Sequence, residues 1–294
     1  MKMEFLFRCK SFIRKAIFLR DDYKYLNLFD KKIANDLDVD LALLRKNCHI
    51  LDKGLHITPF EKGHGKQIYK ETLLLFDRLL PGSKKSDPSF DWCRDVIASY
   101  ERAQNTGCPS KNVPFYNYSD VEKKGIYDFI RSRVSCRNFN GKIINDSIWN
   151  EIIELAADAP NGCCRQTSRI YIIKDKEIIG KLKPKIGGAT GFSNGIPYLL
   201  CVTADLRPYV SIDRMLPYID ASLFVENLVL ACRANNVFTT ILNFQHASNS
   251  EREYVMRCIG IPFYERVILF IAAGYADLIP DKPKRMSINQ FRKL

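Results

Sequence analysis

The chain has 294 residues, of which 46% are hydrophobic and 12% aromatic, and 45 Lys and Arg against 33 Asp and Glu give a formal net charge of +12. This composition is typical of globular proteins and excludes an intrinsically disordered chain. The length suffices for one large domain or two smaller ones, which excludes a small domain that depends on disulfides for its stability.

Neither the apolar runs nor the N-terminus predicts a membrane protein or an exported one. The longest apolar runs, 223–232 and 267–275, fall well short of the ~20 residues that span a bilayer. Residues 1–20 are basic, and their Arg and Lys side chains interrupt any secretion signal. The ten cysteines include no Cys-x-x-Cys pair, so we expect reduced thiols and a cytoplasmic protein.

The basic charge is spread along the chain, and no motif of a nucleic-acid-binding protein accompanies it, so we expect no nucleic-acid partner. Residues 1–20 differ, because their apolar side chains fall at helical spacing between Lys and Arg. Such a helix either docks on its own domain or lies on an anionic membrane surface. Its apolar positions are Phe5, Cys9, Phe12, Ile13, Ala16, Ile17 and Leu19.

The elements predicted in residues 1–120 are all helices. Apolar periodicity predicts helices over 41–52, 67–80 and 92–104, which are separated by clusters of Gly, Pro and Ser. No strand is expected there. We therefore predict a helical N-terminal region over residues 1–120 and a second unit over 121–294.

After residue 120, helical and β-branched segments alternate, which predicts helices packed on a sheet. A helix through 126–131 is followed by one that begins behind Asp146 as N-cap and ends before Pro160. The strands are predicted at 169–173, 198–203, 237–242 and 266–272, and further helices at 176–182, 214–235 and 250–258. The helix 214–235 is apolar on nearly every side, which predicts burial at the centre of a domain or dimer.

Two motifs of the sequence are only weak indications of a function. Gly191-Phe-Ser-Asn-Gly195 matches the spelling of a hydrolase nucleophile elbow, but it precedes a strand where an elbow follows one. His49, His56 and His64 lie close in sequence without carboxylate or thiol ligands at suitable spacing, so no metal site is predicted.

Arg133-Val-Ser135-Cys-Arg137 places two guanidinium groups and a hydroxyl at alternating positions. In an extended chain, alternate side chains point to the same side. The planar fork of arginine matches phosphate oxygens, and serine adds a neutral donor, so the trio suits a phosphate monoester. Two surface arginines beside a serine are also common without any such role.

The order of the features that follow makes the interpretation of this segment more specific. After this segment come Ala159-Pro-Asn-Gly162, then Asp220 and Asn227 in the long helix, Gly274-Tyr275 after the last strand, and a basic tail over 280–285. This series resembles the nitroreductase family of FMN flavoproteins over about residues 123–294. His49-Ile-Leu-Asp-Lys-Gly-Leu55, with Gly63-His-Gly65, resembles the N-terminal extension of a subgroup of these proteins.

The resemblance implies an α+β nitroreductase-like fold: a central mixed, mainly antiparallel sheet flanked by helices, with a long buried central helix, preceded by the helical region. It also implies a homodimer with FMN in a cleft at the interface. The residues that it assigns to FMN fall into four groups: the phosphate site Arg133, Ser135 and Arg137; the tail cations Lys282, Lys284 and Arg285; Pro160, Asn161, Gly162 and Cys164 near the partner's flavin; and Leu242 and Asn243, whose backbone groups approach N5.

The same resemblance implies hydride transfer through flavin N5 in a ping-pong cycle, from NAD(P)H to a nitroaromatic, quinone or other small organic acceptor. No side chain is required as acid or base, and no metal is expected. Two alternatives remain open: a flavin enzyme specialised for one metabolite, and a non-catalytic basic module that docks on an anionic membrane or a partner.

Two positions depart from the family pattern. Cys164 stands where the family commonly has Asn, and Glu226 where it often has Gln. A thiol is a poor hydrogen-bond donor. A carboxylate in a largely apolar helix has to find a partner or take up a proton. These departures affect the expected substrate more than the expected cofactor.

Overall fold

The computed structural model describes residues 16, 19–29, 36–108, 114–192 and 195–292. Residues 19–26 are helical, and three longer helices follow: α1 (Leu37–Leu55), α2 (Lys66–Leu79) and α3 (Pro88–Thr106). Within residues 36–108 no strand is present, as predicted. The Asp36 carboxylate caps α1 by accepting hydrogen bonds from the backbone N–H groups of Asp38 and Val39.

The three helices enclose a core of their own, in which side chains such as Leu44, Leu51, Leu55 and Phe90 are fully buried. The two N-terminal motifs meet beside this core. Gly54 packs so closely against the His64 ring that a Cβ at Gly54 would lie 1.8 Å from Nε2. The glycine of the first motif and the histidine of the second are therefore explained by packing.

The second part of the chain contains helices and strands in alternation. Its helices are α4 (Asp120–Ser132), α5 (Asp146–Ala157), α6 (Lys176–Leu182), α7 (Leu216–Ala234), α8 (Asn249–Ile259) and the short α9 (Ile288–Phe291). Its strands are β1 (Ser168–Ile173), β2 (Tyr198–Asp205), β3 (Phe238–Leu242) and β4 (Glu265–Gly274). All four predicted strands are present, each within two residues of its predicted ends.

The four strands form one sheet in the order β1-β2-β4-β3, and each neighbouring pair is antiparallel. Every residue of β2 is buried. Its alternate side chains enter two different cores: Leu200 and Val202 pack with α5 and α7, whereas Leu199 and Cys201 pack with α6 and α8. The predicted α+β architecture is confirmed.

Two details of the helices differ from the sequence-based expectation. Asn145, not Asp146, is the N-cap of α5, and Asp146 is its first residue, with its carboxylate 2.7 Å from Lys174 Nζ. The central helix α7 is largely buried, but one face is exposed in the single chain: Ile219 is 50% and Leu223 is 40% exposed.

The N-terminal region docks on the second part through specific polar contacts. Asp36 pairs with Arg207, which also pairs with Asp205. The Tyr25 hydroxyl donates to the Arg214 carbonyl at 2.8 Å. The predicted amphipathic helix over 1–20 falls almost entirely outside the described residues. Among the helices that are described, each is too short or too polar to cross a bilayer.

Candidate functional site

The segment from Arg133 to Arg137 is extended and lies beside the sheet. Val134 and Cys136 are buried, while Arg133, Ser135 and Arg137 point the other way. The Cys136 N–H donates to the Thr239 carbonyl at 3.1 Å, and Ser135 forms an isolated parallel bridge with Thr239. The alternation predicted from the sequence is present.

Arg133, Ser135 and Arg137 line one cleft of about 410 Å³ together with Arg285. Within the described part of the chain, no carboxylate lies within 4 Å of the guanidinium groups of Arg133, Arg137 or Arg285. Three guanidinium groups without a paired anion attract an anion strongly, and arginine suits phosphate oxygens. The remaining lining residues are Glu226, Val229, Thr239, Thr240 and Ile241.

The C-terminal tail adds charge beside this cleft, but its three cations differ in position. Lys282 Nζ donates to the Arg131 carbonyl at 2.7 Å. Desolvation and the nearby positive charges of Arg133 and Arg285 hold the pKa of Lys282 below its ordinary value. Lys284 is exposed and is not among the residues that line the cleft. Arg285 is therefore the tail residue that the structure brings to the predicted phosphate site.

Glu226 corrects one sequence-based expectation. Its side chain is not enclosed among apolar residues; it is exposed and faces the cleft that contains Arg133, Arg137 and Arg285. Periodicity along α7 could not indicate that Glu226 faces a cleft of arginines, because those arginines come from distant segments. The position places one negative charge at the edge of a strongly positive site.

The loop over 160–166, between α5 and β1, holds the second group of predicted residues. Pro160 is exposed. The Gly162 N–H donates to the Asp220 carboxylate at 2.8 Å, and the Asn161 side-chain oxygen accepts from the Gln166 N–H at 3.0 Å. Cys164 lies against α1 of the N-terminal region, where its carbonyl accepts from Arg45 Nε at 2.8 Å.

This loop also borders a second cavity of about 410 Å³. Asn161, Gln166, Tyr171 and Phe224 are among the residues that line it. The structure therefore places the loop residues at a different opening from Arg133 and Arg137 within one chain.

Leu242 and Asn243 line neither opening, although the adjacent Ile241 lines the cleft of Arg133 and Arg137. Leu242 is 1% exposed, and the backbone N–H and C=O of Asn243 both pair with Gly187, at 2.9 and 2.8 Å. Both backbone groups of Asn243 thus have partners within the chain. The approach of Leu242 and Asn243 to flavin N5 stays a prediction.

Several residues that shape the site were missed by the sequence reasoning. Arg165 is only 5% exposed; it donates to the Gly162 carbonyl at 3.1 Å and pairs with Asp213 at 3.0 Å. The Tyr209 hydroxyl donates to Asp220 at 2.6 Å, and burial raises the pKa of Tyr209. The sequence showed neither the burial of Arg165 nor the contact of Tyr209 with Asp220, because both depend on distant segments.

No group of three potential metal-ligand side chains converges among the described residues. His56 bonds to the Asp52 carbonyl within α1, and His49 contacts the Cys164 sulfur at 3.4 Å. Ser193 of the elbow-like motif falls outside the described residues.

Residues 130–192, which include the Arg-x-Ser-x-Arg segment and the 160–166 loop, match the model of the Nitroreductase family. The resemblance to nitroreductases is confirmed. A structure from Parabacteroides distasonis, named as NADH dehydrogenase/NAD(P)H nitroreductase, superposes with a TM-score of 0.50 at 16% identity, covering 57% of this chain and 97% of that chain. A nitroreductase-like protein from Streptococcus mutans gives a TM-score of 0.50 at 16% identity, covering 58% and 98%.

These two superpositions establish the nitroreductase-like fold. A nitroreductase with bound FMN from Desulfitobacterium hafniense aligns at 18% identity over 57% of this chain and 97% of that chain, with a TM-score of 0.47. No curated protein matches the sequence.

Proposed function

We propose that this protein is an FMN-dependent oxidoreductase of the nitroreductase type, which transfers a hydride between NAD(P)H and a small organic acceptor. The observation that carries the proposal is the cleft in which Arg133, Arg137 and Arg285 meet Ser135 without a paired carboxylate. The match of residues 130–192 to the Nitroreductase family supports the same conclusion.

The residues of the cleft fit the phosphate monoester of FMN. Guanidinium groups can each give two parallel hydrogen bonds to phosphate oxygens, and the Ser135 hydroxyl can donate one more. Thr239 and Thr240 lie on the neighbouring strand β3 and line the same cleft. The negative charge of Glu226 would repel the phosphate. We therefore place the phosphate on the arginine side of the cleft and the ribityl chain near the Glu226 carboxylate.

When bound, FMN supplies the hydride chemistry at N5, which no side chain of this protein could perform. The chain's own residues then bind and orient. Arg133, Ser135, Arg137 and Arg285 hold the phosphate, and Lys282 adds positive charge beside it. A cofactor held at its phosphate keeps a fixed position while donor and acceptor exchange, which is what a ping-pong cycle requires.

We further propose that two copies of the chain form the active unit, with the 160–166 loop of one copy facing the flavin of the other. Helix α4 supports this, because none of its residues is buried in the single chain although Val121, Tyr127 and Ile130 are large and apolar. The exposed Ile219 and Leu223 of α7 add to the same unpartnered surface. Exposed apolar surface of this extent commonly marks an interface.

A cytoplasmic location stays a prediction.

The first experiment is an absorbance spectrum of the purified protein, followed by chromatography of the heat-released cofactor. Stoichiometric FMN is expected. The double variant Arg133→Ala/Arg137→Ala should lose FMN while its circular dichroism spectrum stays unchanged, and Arg94→Ala, an exposed arginine of α3, is the control. Protein that takes up no added FMN would refute the proposal, and a double variant that keeps its FMN would refute the assigned phosphate site.

A turnover screen then addresses the acceptor. Rapid NAD(P)H-driven reduction of nitroaromatics or quinones is the expected result. An FMN-loaded protein that reduces none of them would favour the alternative of a flavin enzyme specialised for one metabolite.

A further inference from the structure

The 160–166 loop has an unusual backbone. Among the described residues, four that are not glycine have a positive φ, and three of them lie here: Cys163 at 54°, Cys164 at 55° and Gln166 at 52°. This left-handed conformation is unfavourable for residues with a Cβ and persists only where the surroundings enforce it. The loop is therefore held by contacts outside itself.

One set of contacts comes from the second part of the chain. The buried carboxylate of Asp220 accepts from the Gly162 N–H, and Arg165 of the loop pairs with Asp213 at 3.0 Å. These bonds fix the start of the loop. They do not reach Cys164, where the left-handed stretch continues.

The other set comes from α1 of the N-terminal region, more than a hundred residues away in sequence. Arg45 Nε donates to the Cys164 carbonyl at 2.8 Å, and the Arg45 guanidinium lies 5.1 Å from the centre of the Trp92 ring. His49 Nδ1 lies 3.4 Å from the Cys164 sulfur. Burial raises the pKa of the Cys164 thiol, so it contacts His49 as a neutral group.

We propose that the N-terminal helical region is a working part of the active site, in which Arg45 and His49 are positioning residues that hold the 160–166 loop in shape. Through Cys164 they set the positions of Asn161 and Gln166, which line the cavity beside Phe224. This inference rests on the proposed function, because it assumes that the loop faces the flavin of the second copy. The region thereby gains a role beyond stability.

Arg45→Ala in the full-length protein tests the inference, and Arg94→Ala is the matched control because Arg94 also lies over an aromatic ring but pairs with Asp91 on its own helix. Loss of a charged hydrogen bond should raise local opening of the loop, and with it the alkylation rate of Cys164, by about tenfold. Mass spectrometry of the peptides reads this rate, with Cys258 as internal reference. Arg94→Ala should leave it unchanged.

The kinetic readout separates positioning from a merely structural role. FMN affinity should change much less than catalysis in Arg45→Ala, because the phosphate cleft is elsewhere, while kcat/KM for the acceptor falls about tenfold. His49→Phe keeps an aromatic ring at this position but removes the imidazole nitrogens, so it is the second variant should Arg45→Ala fail to fold. It should change alkylation and kcat/KM in the same direction.

The outcomes are distinguishable. Wild-type protein that binds no FMN would refute the proposed function and this inference with it. FMN-loaded protein in which Arg45→Ala and His49→Phe behave like Arg94→Ala in both readouts would refute only the role of the N-terminal region. Increased alkylation with unchanged kcat/KM would overturn the positioning role.

Discussion

The buried Asp220 carboxylate in helix α7 accepts a hydrogen bond from the backbone N–H of Gly162 across 2.8 Å. Asp220 also accepts from Tyr209, which in turn contacts Thr167 at 2.6 Å. One carboxylate thus connects the central helix, the 160–166 loop and the start of β1. A Cβ at Gly162 would lie 3.2 Å from this carboxylate, so the glycine permits the approach.

Asp220→Ala should destabilise the protein by about 2–4 kcal/mol, because it leaves two donors without a partner at a site that is 2% exposed. Urea denaturation measures the change. Asp146→Ala is the matched control: Asp146 is exposed and pairs with Lys174, so we expect a loss of less than about 1 kcal/mol. Equal losses for the two variants would contradict the anchoring role of Asp220.

Arg285→Ala should weaken FMN binding about tenfold, because Arg285 lines the proposed phosphate cleft. Lys284→Ala removes the same charge one residue away, outside the lining of the cleft, and should change the affinity little. Fluorescence titration of the flavin-free protein with FMN measures both. Similar losses in the two variants would mean that the tail acts through its overall charge alone.

Phosphate binding should weaken as pH rises, because Lys282 loses its positive charge. Desolvation and the charges of Arg133 and Arg285 hold the pKa of Lys282 below its ordinary value in the free protein. A bound phosphate dianion favours the charged amine and raises this pKa, so binding takes up a proton. Affinity is therefore highest below the free-state pKa and falls as pH passes through it towards the bound-state value.

Calorimetric titration with inorganic phosphate between about pH 8 and 11 tests this, because the anion is already doubly charged there and no flavin ring titrates. Lys282→Arg is the control, since a guanidinium keeps its charge over this range. We expect its pH profile to be flatter. Identical profiles for Lys282→Arg and the wild type would show that another group titrates.

Gly54→Ala should destabilise the N-terminal region by about 1–3 kcal/mol through overpacking, since its Cβ would overlap His64. In the His64→Ala background the same change should be neutral or stabilising. Gly125→Ala in α4 has nothing within 4 Å and should gain about 1 kcal/mol from helix propensity. Thermal unfolding compares these variants with the wild type. Persistent destabilisation without His64 would contradict this explanation.

Ile219→Asp/Leu223→Asp should shift the proposed dimer to monomer in light scattering. Each buried leucine or isoleucine at an interface contributes about 1.5–3 kcal/mol, and an introduced charge adds repulsion between the copies. Leu74→Asp, at an exposed apolar position of α2, is the control and should leave the mass unchanged. A dimer that persists in the double variant would place the interface elsewhere.

Local pattern was enough to predict the strands and the alternation of side chains over residues 133–137. β-branched runs marked all four strands, and alternation placed Arg133, Ser135 and Arg137 on one side. Both depend on residues that are adjacent in sequence. The order β1-β2-β4-β3 could not be derived in this way, and so the threonines that β3 brings to the cleft were missed.

The surroundings of other residues depend on long-range contacts. Asn243 uses its backbone to pair with Gly187, and Glu226 faces a cleft built from arginines of two other segments. The predicted cap at Asp146 is wrong by one residue, since α5 begins at Asp146 and Asn145 holds the N-cap position without a side-chain capping bond. Composition and periodicity contain no information on such partners.

The attachment of Cys136 to strand β3 has a thermodynamic consequence for ligand binding. The Cys136 N–H donates to the Thr239 carbonyl, and the Thr240 hydroxyl donates to the Cys136 carbonyl. The backbone between Arg133 and Arg137 is thereby fixed before any anion arrives. A preorganised site loses little conformational entropy on association, so most of the interaction energy of its arginines is retained as affinity.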